Sequence, residues 1–169
     1  MRKIIIFSIT VLSVVFLLAP ALFSQIDLDI ETGAVFSGYN DVRIPGKGGT
    51  LFSLSEELKA DPGVFFRFRV IYNFNDHHHL GALFAPLSIS SKGTLNRDLI
   101  FQGETFSANK PLETTYKFNS YRLFYRYDFL RNDELEIGIG FTAKIRDAKI
   151  VVKGDGLESE KANVGFVPI

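Results

Sequence analysis

Between Glu134 and Arg146 the chain alternates with a period of two. Leu135, Ile137, Ile139, Phe141, Ala143 and Ile145 fall on one side; Glu136, Gly138, Gly140, Thr142, Lys144 and Arg146 fall on the other. Successive side chains of a β-strand point to opposite faces, whereas a helix would scatter both sets around its circumference. The segment is therefore a strand whose unbroken apolar face opposes glycine, hydroxyl and charge. Its length, roughly 10–12 residues, is what a tilted strand needs to cross a bilayer.

The start of the chain has the pattern of an export signal. Arg2 and Lys3 precede an apolar run over 4–18 that is broken only by Ser8, Thr10 and Ser13, and Ala19, Pro20 and Ala21 follow. A cationic start, an apolar middle and small residues before a cut define a secretory signal peptide. Cleavage after Ser24 gives a mature chain from Gln25; a cut after Ala21 is the alternative. The run is shorter than the ~20 residues of a spanning helix. Residues 1–24 are therefore read as a cleaved leader and 25–169 as the folded domain. No other segment approaches a transmembrane helix. If 25–169 enters a membrane it does so as strands, and these must close into a barrel because lipid cannot hydrogen-bond a sheet edge.

Nineteen basic residues balance nineteen acidic ones, and two of the basic ones lie in the leader. Such a chain has no basic field for nucleic acid. It has no cysteine, which removes disulfides, zinc–thiolate sites and thiol nucleophiles together. A small exported domain without disulfides needs another source of stability, and a closed hydrogen-bonded barrel supplies one.

Period-two patterning predicts strands over 26–36, 64–73, 80–90, 99–106, 114–130, 134–152 and 161–168, with Pro86 marking an irregularity in the third. A long connection, 37–63, carries Pro45-Gly46 and Gly48-Gly49 as turn signals and mild helical character over 53–59, with Ser53 or Ser55 as cap. Long loops of membrane barrels face outward from the cell, so 37–63 is where an extracellular ligand would be met. Bacterial single-chain barrels have even strand counts from eight upward. Seven strands and the abrupt Pro168-Ile169 end predict that the last strand or more is missing.

The charges sit opposite the apolar faces. The first strand carries Asp27, Asp29 and Glu31 there, and the second carries Arg67 and Arg69. Neighbouring antiparallel strands usually pair, so these can meet across a ladder. Arg122, Arg126 and Asp128 repeat the theme on the fifth strand, as do Glu136, Lys144 and Arg146 on the sixth. Within a small barrel these residues form a structural charge network filling the lumen. Aromatic residues near strand ends (Phe36, Tyr39, Tyr72, Phe74, Tyr127 and Phe129) suit a membrane interface.

In this pattern the chain resembles small bacterial outer-membrane β-barrel proteins, of the general kind that includes the eight-stranded OmpA-like and OmpW-like families. The resemblance covers nearly all of 25–169. It implies an all-β, antiparallel up-and-down transmembrane barrel in the Gram-negative outer membrane, in contact with outer-membrane lipid, with a lumen too narrow for a large pore. No functional residue is carried over.

Candidate chemistry is sparse. Asp76-His77-His78-His79 invites a metal reading, but adjacent strand residues point to opposite faces, so a solvated turn is expected and no metal or cofactor is predicted. The only histidines lie in that turn, which leaves Ser88 or Ser90 as the nearest candidate nucleophiles and no strong triad. Gly46-Lys47-Gly48-Gly49-Thr50 lacks the spacing of a phosphate loop. The expectation is a non-enzymatic, porin-like membrane barrel with a structural or interaction role, or one that passes a small solute. The alternatives are a soluble, exported, lipocalin-like barrel holding an apolar ligand, and an outer-membrane lipid-modifying enzyme that depends on His77 or His79.

Overall fold

The computed structural model describes residues 25–169, so the predicted leader lies outside the described residues. The molecule is all-β and antiparallel. Its main sheet contains β1 (Ile26–Val35), β4 (Gly63–Asn73), β5 (His78–Ala85), β6 (Ser88–Thr94), β9 (Pro111–Arg131), β10 (Glu136–Gly154) and β11 (Leu157–Pro168). Both β5 and β6 pair with β9. They form one rank, interrupted at Pro86-Leu87 where the proline has no N–H for the ladder. The order across the sheet is β1, β4, β5 with β6, β9, β10, β11. Among the described residues β1 and β11 are its two edges and do not pair with each other.

Short, locally programmed turns close one end. Asn75 Oδ1 accepts from the His77 and His78 amides at 2.9 and 3.0 Å. Asn132 Oδ1 accepts from Glu134 and Leu135 at 3.0 and 2.8 Å. In both turns an Asn side chain takes the place of backbone acceptors. The long connections emerge at the other end, where Asp155-Gly156, both at positive φ, also joins β10 to β11. A two-residue Asp-Gly turn of that hand matches the twist of its strands. The two strands consequently reach further towards each other than the predicted spans 134–152 and 161–168.

The expected strand over 99–106 is not part of the main sheet. Gln102 and Gly103 adopt positive φ and fold it into a separate hairpin, β7 (Leu99–Phe101) with β8 (Glu104–Phe106). A second small pair, β2 (Asp41–Val42) with β3 (Phe52–Ser53), lies within the long connection. No helix occurs among the described residues. The Ser53 hydroxyl accepts from the Glu56 amide at 3.2 Å and the Ser53 amide donates to Glu57 Oε2 at 2.9 Å, a reciprocal cap that starts only a run of turns. Lys59 at φ 53° ends it.

These pieces form a cap with the molecule's main buried core. Val42, Phe52, Leu54, Leu58, Leu95, Leu99, Phe101 and Phe106 pack onto Leu112 and Val152 of the sheet. The rings of Phe52 and Phe101 meet edge-on at 6.4 Å, a favoured aromatic geometry. At Gly93 a Cβ would press on the Leu58 backbone at 2.9 Å, so glycine is what lets the cap approach. The salt bridge from Arg97 to Glu57, at 2.7 Å, ties its rim; hydrogen bonding to that guanidinium holds the Glu57 carboxyl below the usual range.

Candidate functional site: two faces that exchange character

Registers run unbroken from Leu112 opposite Gly154 to Asp128 opposite Gly138, so even-numbered residues of β9 and β10 share one face throughout. The cap lies on this face, here called the cap face, since Leu112 and Val152 belong to it. The opposite face is bare.

Along the lower half of the sheet, nearer the short turns, the bare face is apolar. Ile30, Phe68, Phe84, Tyr121, Ile145 and Phe166 are successive cross-strand partners spanning every rank. Leu28, Val70, Ala82, Leu123 and Ala143 form the next row, and Ile26, Tyr72, Leu80, Tyr125 and Phe141 the one below. These side chains are not covered. Leu123, with strands on both sides, is 55% exposed, Phe141 64% and Ile139 70%. The third strand, whose facing is ambiguous from its uniformly apolar sequence, puts Leu80, Ala82 and Phe84 here and buries His79, Gly81 and Leu83 on the cap face. From strand and residue spacings this surface is about 25 Å wide and 27 Å tall. Soluble monomers rarely expose a contiguous apolar patch above a few hundred Å².

Above Ile145 the bare face becomes polar without a break in register. Lys117 pairs with Asp147 at 2.8 Å, Lys149 with Glu160 at 2.8 Å, Lys92 with Glu113 at 2.8 Å and Lys153 with Glu158 at 3.0 Å. Hydrogen bonding to Glu113 raises the Lys92 pKa, and the bond to Glu160 does the same for Lys149. The cap face changes in the opposite sense: charged below, apolar above where Leu112, Tyr116, Ile150 and Val152 meet the cap.

The eleven charges predicted to share a face fall into three groups on the lower cap face. On β1 and β4, Asp29 pairs with Arg69 at 3.1 Å and Glu31 with Arg67 at 3.0 Å, while Asp27 accepts from Asn73 Nδ2 at 2.9 Å. Near the short turns, Arg126 bridges Asp128, at 2.7 Å, and Glu136. The third group is Arg122, Lys144 and Arg146, none of which makes an ion pair among the described residues. Arg122 Nε reaches Ser120 Oγ at 3.3 Å, Lys144 Nζ lies 5.5 Å from the centre of the Phe118 ring, and an Arg146 amine reaches Asn163 at 3.3 Å.

Asp76 and His77 lie in an exposed turn as expected, but His78 and His79 depart from it as the first residues of β5. His79 is 5% exposed, with Nε2 2.9 Å from Asp128 Oδ2 and Nδ1 2.6 Å from Asn73 Oδ1. His78 is on the bare face, its Nδ1 2.5 Å from the Tyr125 hydroxyl, and His77 Nδ1 lies 2.6 Å from the Asp128 carbonyl. The rings of His77 and His78 lie near Tyr127 while His79 is on the opposite face, and no group of three His, Asp or Glu able to hold a metal occurs among the described residues. Ser88 and Ser90 are exposed on the bare face, opposite to His79. Sequence reasoning missed the seat of Asp128. A Cβ at Gly138 would land on its carboxylate, and a Cβ at Gly81 would strike the Phe124 ring. Glycine at such strand positions marks a close approach, and Gly138 also adjoins the bulge at Phe129, which the register skips.

Two hollows lie on the lower cap face. One, of about 520 Å³, opens by the short turns between Asp27, Asn73, His79 and Arg126. The other, of about 310 Å³, has Arg69, Arg122 and Arg126 around a floor of Ile71, Leu83 and Phe124. Comparison with protein-family models, curated proteins and solved structures returns no match.

Proposed function

We propose that this protein is an outer-membrane β-barrel whose bare face lies against acyl chains, whose lower cap face lines a narrow interior, and whose cap closes the mouth at the long-loop end. Its role is structural or interactive rather than that of an open pore. The observation that carries this reading is the exchange of polarity between faces along one register. The apolar run Leu135–Ile145, which starts one residue before β10, is about 33 Å long at strand rise. Tilted by about 40° it stands ~25 Å tall, the height of the lipid-facing band of such barrels. Tyr121 at its upper limit and Tyr127 towards the lower one sit where amphipathic rings favour the interface. Above that band the ion pairs on the bare face suit water. The reading requires the β1 and β11 edges to be paired in the membrane. A lipocalin-like carrier would instead want an apolar interior at the height where Arg69, Arg122 and Arg126 stand.

The test is fractionation of the exported protein. It is expected in the outer membrane, extracted only by detergent, and migrating faster on a gel unheated than boiled. Recovery as a detergent-free soluble protein would refute the reading.

A further inference from the structure

The third charge group has neutral neighbours but no acidic partner among the described residues, and that asks for a ligand. Lys144 and Arg122 are direct cross-strand neighbours, as are Arg146 and Ser120, so the four side chains form a two-by-two patch on the cap face. Like charges placed opposite each other are destabilising, and among the described residues the acids of the sheet's lower cap face are engaged elsewhere: Asp29 and Glu31 with arginines, Asp27 with Asn73, Asp128 and Glu136 with Arg126. The acids of β10 and β11 nearest the patch in sequence, Asp147 and Glu160, point to the bare face and are held by Lys117 and Lys149. Arg146 Nε is buried with no hydrogen-bond partner, and its guanidinium lies beside Gly165, which has no side chain to cover it.

We propose that Arg122, Lys144 and Arg146 form a binding site for a small oxyanion, a phosphate or carboxylate group. Two guanidinium forks and an ammonium offer several charge-assisted donors to such a group. Ser120 orients Arg122, and the hollow walled by Arg122 and floored by Leu83 and Phe124 leaves room for an apolar extension of the ligand. The site goes beyond the membrane reading and rests on the cap-face geometry alone.

Inorganic phosphate is the probe. The full mature chain, purified in detergent micelles, is titrated calorimetrically with phosphate against a chloride control of equal ionic strength. One phosphate should bind, and Arg122→Gln or Lys144→Gln should weaken it about tenfold or more. Lys144→Gln should also raise the melting temperature in chloride, because a like-charge contact is gone; a damaged fold would lower it. Lys149→Gln, on the bare face, should bind as the parent does. No phosphate binding by the parent, binding unchanged in both Arg122→Gln and Lys144→Gln, or equal heat with chloride would overturn the proposal. A protein found soluble would end the membrane reading while leaving this titration able to decide the site.

Discussion

If the bare face meets lipid as proposed, Leu123→Arg and Phe141→Arg should each cost about 2–4 kcal/mol of folding stability in a lipid bilayer, the penalty for a cation on a lipid-facing strand position near the midplane. Both positions lie in the middle rows of the apolar surface, more than half exposed and flanked by apolar partners on neighbouring strands. The penalty arises because the guanidinium loses water and meets no acid on that face at that height. Ser90→Arg is the control: the same face, above the switch, beside Thr115 and among ion pairs. An exposed polar site of that kind should change stability by no more than about 0.5 kcal/mol. Urea titration of folding into phospholipid vesicles reads all three. Equal stability of Leu123→Arg and Ser90→Arg would mean that the bare face does not meet lipid.

Phe101→Ala should cost about 3–5 kcal/mol, the usual loss for a large aromatic truncated in a core, and the loss should fall on the cap. Phe101 is fully buried against Phe52, its carbonyl accepts from Ser159 Oγ at 3.3 Å, and the Gln102 amide donates to the Ile44 carbonyl at 3.1 Å. Its ring thus holds both small hairpins to the sheet. Arg43, Lys47 and Lys59 of the long connection are already exposed but sit on backbone that the cap holds in place; opening frees that backbone, so trypsin should cut there far faster in the variant while the sheet stays protected. Phe166→Ala, on the bare face and 67% exposed, should leave the cleavage rate unchanged. Cleavage of the Phe101 variant at the parental rate would mean that the cap does not depend on this core.

The lower half of the sheet was legible because alternation is a local signal. Glu134–Arg146 displays both faces within one strand, and the acids of β1 and the arginines of β4 announce their pairing by position. The upper half was not legible. From Asp147 onward the apolar and polar sets trade faces, so Ile150 and Val152 read as a continuation of the strand with no hint that a cap covers them. The hairpin at 99–106 alternates like one strand, and only the Gln102-Gly103 turn separates the two readings. Asp155-Gly156 was a readable two-residue turn that the alternation on either side obscured. His79 could not be placed from its neighbours, because its partner Asp128 is brought beside it by strand pairing far along the chain, on a seat that Gly138 leaves open.

Because the chain contains no native cysteine, depth can be read directly at single introduced thiols. Leu123→Cys and Ile139→Cys test the lower bare face, and Ser90→Cys and Lys149→Cys the upper, each in protein folded into vesicles. A fluorophore at 123 or 139 should be quenched from within the acyl chains, with the free thiols there shielded from a water-soluble maleimide; 90 and 149 should behave the opposite way. Aqueous labelling at 123 and 139 as fast as at 149, with no quenching from the lipid, would contradict the account.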